Sequence, residues 1–301
     1  MSGLSDAPFQ SVEPETGIAI ARQAWRSIDC LQNGAMKPWQ QFPPDLARTA
    51  HTVLTDIDDT LTTHGRLLPD AYAAMARLQQ AGLRVIPVTG RPAGWCDMIA
   101  RTWPVDGVIG ENGAFYMWHD ASDQRLRCRH WDSDVNLSAL SQRLAAVRER
   151  VLAEVPGSGV ASDQFARWYD LAIDFCEDVP ALPRSAVDRI VAIMQAQGMT
   201  AKVSSIHVNG WWGDWDKLRM ARRMLAERHG VDWANEGARI LFVGDSPNDA
   251  PMFGALPHSV GVANVADFSD RLEHPPTWVT RARSGAGFVE FAQHLLAMRQ
   301  A

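Results

Sequence analysis

The sequence predicts an α/β fold, a parallel sheet interrupted by an inserted α+β domain. Three observations carry this reading. Short apolar runs at 52–56, 83–88 and 238–243 alternate with segments of helical period, the rhythm of βαβ units with right-handed crossovers. Two of those runs end in acidic clusters, Asp56-Ile57-Asp58-Asp59-Thr60 and Gly244-Asp245-Ser246-Pro247-Asn248-Asp249. Such clusters belong in the crevice beyond the carboxyl ends of parallel strands, where open α/β sheets take their ligands. Between them, from about 114 to 208, the rhythm changes to strand–helix units of a different kind.

The elements follow in order. Residues 1–50 carry no strong strand signal and read as a lead-in: a short amphipathic helix at 17–31, then turns marked by Pro38 and Pro43-Pro44. After the strand at 52–56, a helix at 70–81 presents Ala71, Ala74, Met75 and Leu78 on one face. Asp70 suits its first turn and Gly82 stops it. A strand at 83–88, a helix opened by Pro92 and a short strand at 108–109 complete a βαβαβ series. The insert reads as a strand pair at 114–118 and 125–131, a helix at 137–152, a strand at 169–175, a helix at 183–197 and one strand at 200–208. Helices at 216–228, 248–256 and 285–298 and strands at 238–243, 259–262 and 278–279 return to the first rhythm. The expected division is a lead-in at 1–50, a core of 51–113 and 209–301, and an inserted domain at 114–208. Glycine-bearing crossings at 110–113 and 209–210 are the expected hinges between the last two.

Bulk properties narrow the function. A chain of 301 residues with 46% hydrophobic and 21% charged residues can bury a large core. Its net charge of -6 gives no attraction to nucleic acid or an anionic membrane. No apolar run reaches membrane-spanning length and no secretory signal opens the chain, so a cytoplasmic location is expected. Cys30, Cys96, Cys128 and Cys176 form no CxxC pair, which fits a reducing compartment and neither zinc nor disulfides. Most of the twelve tryptophans are expected in the core, and Trp211, Trp212 and Trp215 pack the return from the insert or else wall the pocket.

The chemistry lies in the acidic clusters. Asp56 and Asp58 are two apart on a stretch leaving a strand, a spacing that in extended geometry points both side chains to one side. One carboxylate can attack phosphorus, giving an acyl phosphate, while the other handles a proton. Crowded carboxylates need a cation, and oxygen-only ligands favour Mg²⁺. The plainer alternative, an aspartate capping a turn or helix, weighs most for Asp59.

The run Asp56-Ile57-Asp58-Asp59-Thr60-Leu61 resembles the first motif, D-x-D-x-T-L after an apolar strand, of the haloacid dehalogenase superfamily of phosphohydrolases. Thr89 in Val88-Thr89-Gly90-Arg91 resembles the second motif, Lys217 the third, and Gly244 to Asp249 the fourth, G-D-x-x-N-D. The resemblance covers about residues 50–298 and implies a Rossmann-like core. An insertion between the second and third motifs resembles the type IIB branch with a C2-type cap, which includes Cof-like, sucrose-phosphate, trehalose-phosphate and mannosylphosphoglycerate phosphatases. The run Gly110-Glu111-Asn112-Gly113-Ala114 resembles that branch's entry into the cap. Asp59 departs from the pattern, since many relatives have glycine there.

The resemblance implies roles. Asp56 is the nucleophile and Asp58 the general acid–base. Mg²⁺ is held by Asp56, the backbone carbonyl of Asp58, and Asp245, with Asp249 binding directly or through water. Thr89 and the Gly90 N–H contact the phosphoryl oxygens, Lys217 supplies positive charge, and Asn248 bridges phosphate and metal loop. Arg91 and Asn112 join the phosphate- and substrate-binding candidates, with a surface salt bridge the plainer reading of Arg91. Ser205, His207 and Asn209 share one parity of the 200–208 strand and face the site, or else form a solvated sheet face. The expected activity is Mg²⁺-dependent hydrolysis of a small phosphorylated metabolite, a sugar phosphate. Its alternatives are a phosphomutase or phosphotransferase and, from another class, a weakly active phosphosugar-binding or sensor protein.

Overall fold

The computed structural model describes residues 36–300. The helix expected at 17–31 lies outside them, as does Cys30. The core is a six-stranded, wholly parallel sheet in the order Lys37–Pro38, Trp278–Val279, Ser259–Gly261, Ile240–Gly244, Thr52–Thr55, Arg84–Pro87. Successive strand residues point to opposite faces, which sets the layers. Val53, Val85 and Leu241 face the helices Pro69–Gln80 and Ser284–Gln300. Leu54, Ile86 and Phe242 face Lys217–His229 and Ala250–Ala255. The result is helix on both faces of a buried parallel sheet, the Rossmann-like core expected.

A second, antiparallel sheet runs Thr200–Val203, His207–Trp211, Leu171–Asp174, Gly159–Val160. Leu137–Glu154 and Arg184–Ala196 cover it with the stripes Leu140, Leu144, Val147, Val151 and Val187, Ile190, Ile193, Met194. This is the inserted cap.

Three expectations need correction. The single strand at 200–208 is a hairpin, because the Ser204 hydroxyl accepts from the His207 N–H at 3.0 Å and closes a turn that alternation cannot reveal. Ser205 lies in that turn, so only His207 and Asn209 keep the shared parity, on a strand that continues to Trp211. The hairpin Phe115–Asp120 and Arg125–His130, expected in the cap, instead pairs with Val108–Gly110, which touches the core sheet through a parallel Val88–Ile109 bridge. Part of the lead-in belongs to the core: Lys37–Pro38 is its edge strand, and buried Trp39 stacks on Phe42 at 4.5 Å and donates Nε1–H to the Phe291 carbonyl at 3.2 Å.

Candidate active site

Strand pairing brings the two acidic clusters together. Val243 is in register with Thr55, so the chain leaves both central strands at one level, with Asp56 on one side and Asp245 on the other. Carboxylate oxygens of Asp56, Asp245 and Asp249 lie within 4.8 Å of one another, all buried. Lys217 joins them, its ammonium donating to Asp56 Oδ1 at 2.6 Å and to Asp249 Oδ1 at 2.7 Å. It occupies the first position of its helix, where the Asp216 side chain caps by accepting from the Arg219 N–H. Gly113 seats that helix start: a Cβ there would stand 2.3 Å from the Asp216 carbonyl oxygen, and its φ of +109° favours glycine independently.

Electrostatics explain why a cation belongs here. Burial, the largest influence, pushes the Asp56 carboxyl up to about 8 against the pull of Lys217, with Asp249 and Asp58 adding repulsion. Burial raises Asp245 well above the usual carboxylate range, helped by Asp56 and Asp249. Lys217 is raised because its two carboxylate partners outweigh burial. One lysine does not balance three buried carboxylates, and the unbalanced donors are all oxygens, which fits Mg²⁺. Asp245 is aimed by the Asn264 amide, which donates to its Oδ2 at 3.0 Å. The other Asp249 oxygen accepts from the Asp245 N–H at 3.0 Å, so this carboxylate both fixes the loop and holds Lys217.

Asp58 is held by Arg91, whose Nε–H contacts both carboxylate oxygens at 3.0 Å. The surface-bridge reading of Arg91 is overturned, since the side chain is buried and reaches three acids: Asp58, Asp163 at 3.1 Å and Glu177 at 2.7 Å. Thr89 is buried and accepts from the Arg91 N–H at 3.0 Å. Asn248 accepts from the Ser246 hydroxyl at 2.9 Å. Asn112 stands behind Gly90 with its amide unpartnered, and a Cβ at Gly90 would come within 3.2 Å of it. Asp59 has φ +54°, the left-handed region that glycine adopts freely and aspartate tolerates.

The cap supplies residues that sequence reasoning missed. Asp163, Arg167, Asp170 and Glu177 sit in loops without periodicity, and Arg167 donates to Asp163, Asp170 and the Gly90 carbonyl at 2.7 Å. Asn209 donates to Asp170 at 2.8 Å, and His207 Nε2 lies 2.8 Å from Glu177. Ser205, His207 and Asn209 line a narrow cleft with Asp56, Asp58 and Asn248, so the three cap candidates do meet the core residues. Trp211 and Trp215 stack on one another away from that cleft, as packing residues.

Glu111 was also missed. Its fully buried carboxylate accepts from the N–H groups of Ala93, Trp168, Tyr169 and Asp170 at 2.6–3.2 Å, tying a core helix start to a cap loop. Bending at 110–113 would strand those donors, so any hinge motion there must work against these contacts.

Comparisons with known proteins agree with this geometry. Residues 53–143 match the haloacid dehalogenase-like hydrolase family. The phosphoglycolate phosphatase of Pyrobaculum neutrophilum is 30% identical over 252 residues, 81% of this chain and 95% of that protein. The chain belongs to the haloacid dehalogenase-like hydrolases. Among solved structures, this hydrolase resembles a Thermoplasma acidophilum protein (TM-score 0.61, 19% identity, 82% of this chain and 98% of that one). It also resembles the C. albicans trehalose-6-phosphate phosphatase C-terminal domain (0.62, 12%, 88% and 99%) and the Synechocystis sucrose-phosphatase (0.57, 15%, 81% and 97%). With its carboxylate cluster, the hydrolase is an enzyme, a phosphatase. Among the described residues no helix is long and apolar enough to cross a membrane.

Proposed function

We propose that this hydrolase cleaves phosphate monoesters of small hydroxyl-bearing metabolites through an aspartyl-phosphate on Asp56. The observation that carries the reading is the pairing of roles: Asp56, buried against Lys217, and Asp58, two residues on, held by Arg91 at the cleft. In the first step an Asp56 oxygen forms a bond to phosphorus, the bond to the leaving oxygen breaks, and Asp58 gives that alkoxide its proton. In the second, Asp58 takes a proton from water as that water attacks phosphorus, and Asp56 leaves with the bonding pair. Thr89 and the Gly90 N–H orient phosphoryl oxygens, Lys217 opposes their charge, and Asn248 bridges the phosphate and the metal loop. Asp56, the Asp58 carbonyl and Asp245 would hold Mg²⁺, with Asp249 acting through water because its own oxygens are engaged. The ion supplies charge neutralisation that lets a carboxylate approach a phosphate.

Sheet membership supports assigning 132–211 to a C2-type cap of the IIB kind and 36–131 with 212–300 to the core. A cap tied to the core by Glu111, Arg91 and Arg167 leaves a chamber suited to a small molecule and obstructs a polymer, so no nucleic-acid partner is proposed. The names of the relatives, two sugar phosphatases and a phosphoglycolate phosphatase, support small-metabolite esters. The test is turnover of a broad phosphate-ester library with Mg²⁺ and after chelation. Magnesium-dependent phosphate release is expected. Undiminished release in chelator, or none from any ester, contradicts the proposal.

A further inference from the structure

Beside the cleft lies a larger cavity of about 520 Å³, adjoining it through Asp58, Arg91 and Ser205. Under the phosphatase reading, on which this inference rests, the cavity receives the alcohol half of the substrate, because Asp58 lines both it and the cleft. Its charge is lopsided. Asp58, Asp59, Glu177 and Asp178 line it, against Arg91 and His64. Even with His64 counted as a cation, carboxylates outnumber cations two to one. Arg91 cannot receive a substrate anion, because its nitrogens already serve Asp58, Asp163 and Glu177. Arg283, the next arginine near Asp59, is paired with Asp267. Asp178 is exposed, and its carboxylate has no ion-pair partner among the described residues. The charge of the phosphoryl group would be met outside this cavity, by Lys217 and by the cation that Asp56, Asp245 and Asp249 would hold.

We propose that this chamber selects the leaving alcohol by charge, preferring one that carries a protonated amine, accepting a neutral polyol, and rejecting one that carries a carboxylate. A carboxylated ester such as phosphoglycolate would place its second anion among four carboxylates without a free cation. A hydroxyl-rich or amine-bearing alcohol would donate to those same acceptors. Amino-alcohol and amino-sugar phosphates are therefore the substrate class that the pocket fits best.

The experiment measures kcat/KM with Mg²⁺ on two charge series of matched size. One is glucosamine 6-phosphate, glucose 6-phosphate and 6-phosphogluconate; the other is ethanolamine phosphate, ethylene glycol phosphate and phosphoglycolate. p-Nitrophenyl phosphate reports the phosphoryl chemistry separately. In whichever series turns over, amine should exceed neutral by about fivefold and neutral should exceed carboxylate by at least about tenfold, the effect of unit charges several ångströms apart in a partly wet site. Asp178→Lys should shrink the amine-to-carboxylate ratio by about tenfold or more. Turnover of p-nitrophenyl phosphate with a flat or reversed charge order, or with neither series accepted, overturns this inference and leaves the phosphatase reading standing. An unchanged ratio in Asp178→Lys overturns it as well. No turnover of any ester, p-nitrophenyl phosphate included, overturns both.

Discussion

Lys217→Met tests how the site is held together. In the folded protein the ammonium is buried between Asp56 and Asp249 at 2.6 and 2.7 Å. Methionine keeps most of the volume and removes the charge, leaving two buried carboxylates without their cation. Breaking a buried pair in this way costs about 3–5 kcal/mol. Urea unfolding of the metal-free protein at pH 9, above the Asp56 value of about 8, should show that loss. The sign of the coupling is the sharper readout. Adding Asp249→Asn to Lys217→Met should restore stability, because it removes one of the stranded charges, whereas Asp249→Asn alone should destabilise. Mg²⁺ should shrink the deficit of the single variant for the same reason. The folded-state pKa of Lys217 is raised, so its contribution is complete below the unfolded lysine value near 10.5 and is withdrawn only as pH climbs through the higher folded value. Lysine titration therefore leaves the deficit unchanged between pH 7 and 9, while protonation of Asp56 around 8 should shrink it toward pH 7. A Lys217→Met protein within about 1 kcal/mol of wild type, or a double variant that pays both costs in full, would refute the reasoning.

Three further outcomes follow from named contacts. Arg91→Ala should lower kcat by roughly ten- to a hundredfold by leaving Asp58 without its orienting partner, with a smaller loss for p-nitrophenyl phosphate, whose leaving group needs little protonation; equal losses for all esters would contradict the positioning role. Glu111→Gln puts an amide N–H against buried N–H donors and should cost about 2–4 kcal/mol in urea unfolding, and a loss below 1 kcal/mol would mean the joint is not held as described. Burial opposes ionisation of Glu177, but His207 and Arg91 win and hold it at about 2, so its stabilisation is present above the unfolded value near 4.5 and is lost as pH falls through 2. Discounted for the quarter of its side chain in solvent, that is about 1–2 kcal/mol that Glu177→Gln should lack at pH 6, and an identical acid unfolding profile for variant and wild type would contradict it.

Much of the core was legible in the sequence because its signals are local. An apolar strand that ends in carboxylates must deliver them to the crevice, so the sequence alone brings Asp56 and Asp245 together. The same rule would have found Asn264, just beyond the strand Ser259–Gly261, where it aims Asp245. Other features depend on partners far along the chain. Nothing in residues 115–130 says which neighbour the hairpin will choose, and alternation through 200–208 hides a turn closed by one serine hydroxyl. Lys37–Pro38 is too short to read as a strand and exists because Trp39 anchors it against Phe291. Glu111 looked like part of a flexible glycine-bearing crossing, yet its carboxylate is a four-donor acceptor buried between two domains. Asp163, Arg167 and Asp170 pair locally within one cap loop, but Arg91 and the Gly90 carbonyl join them and Glu177 only once the cap has folded over the core, and no spacing rule shows that link.

The account stands on Asp56 as the nucleophile. The most direct measurement is rapid acid quench of the Asp58→Asn protein mixed with a turned-over ester and Mg²⁺, followed by mass spectrometry of its peptides. With departure of the intermediate slowed by the missing base, one phosphoryl group should appear on the peptide containing Asp56, and it should be absent when Asp56→Asn is added. Phosphate release at the wild-type rate by the Asp56→Asn protein, or a phosphoryl group found on another residue, would contradict the account.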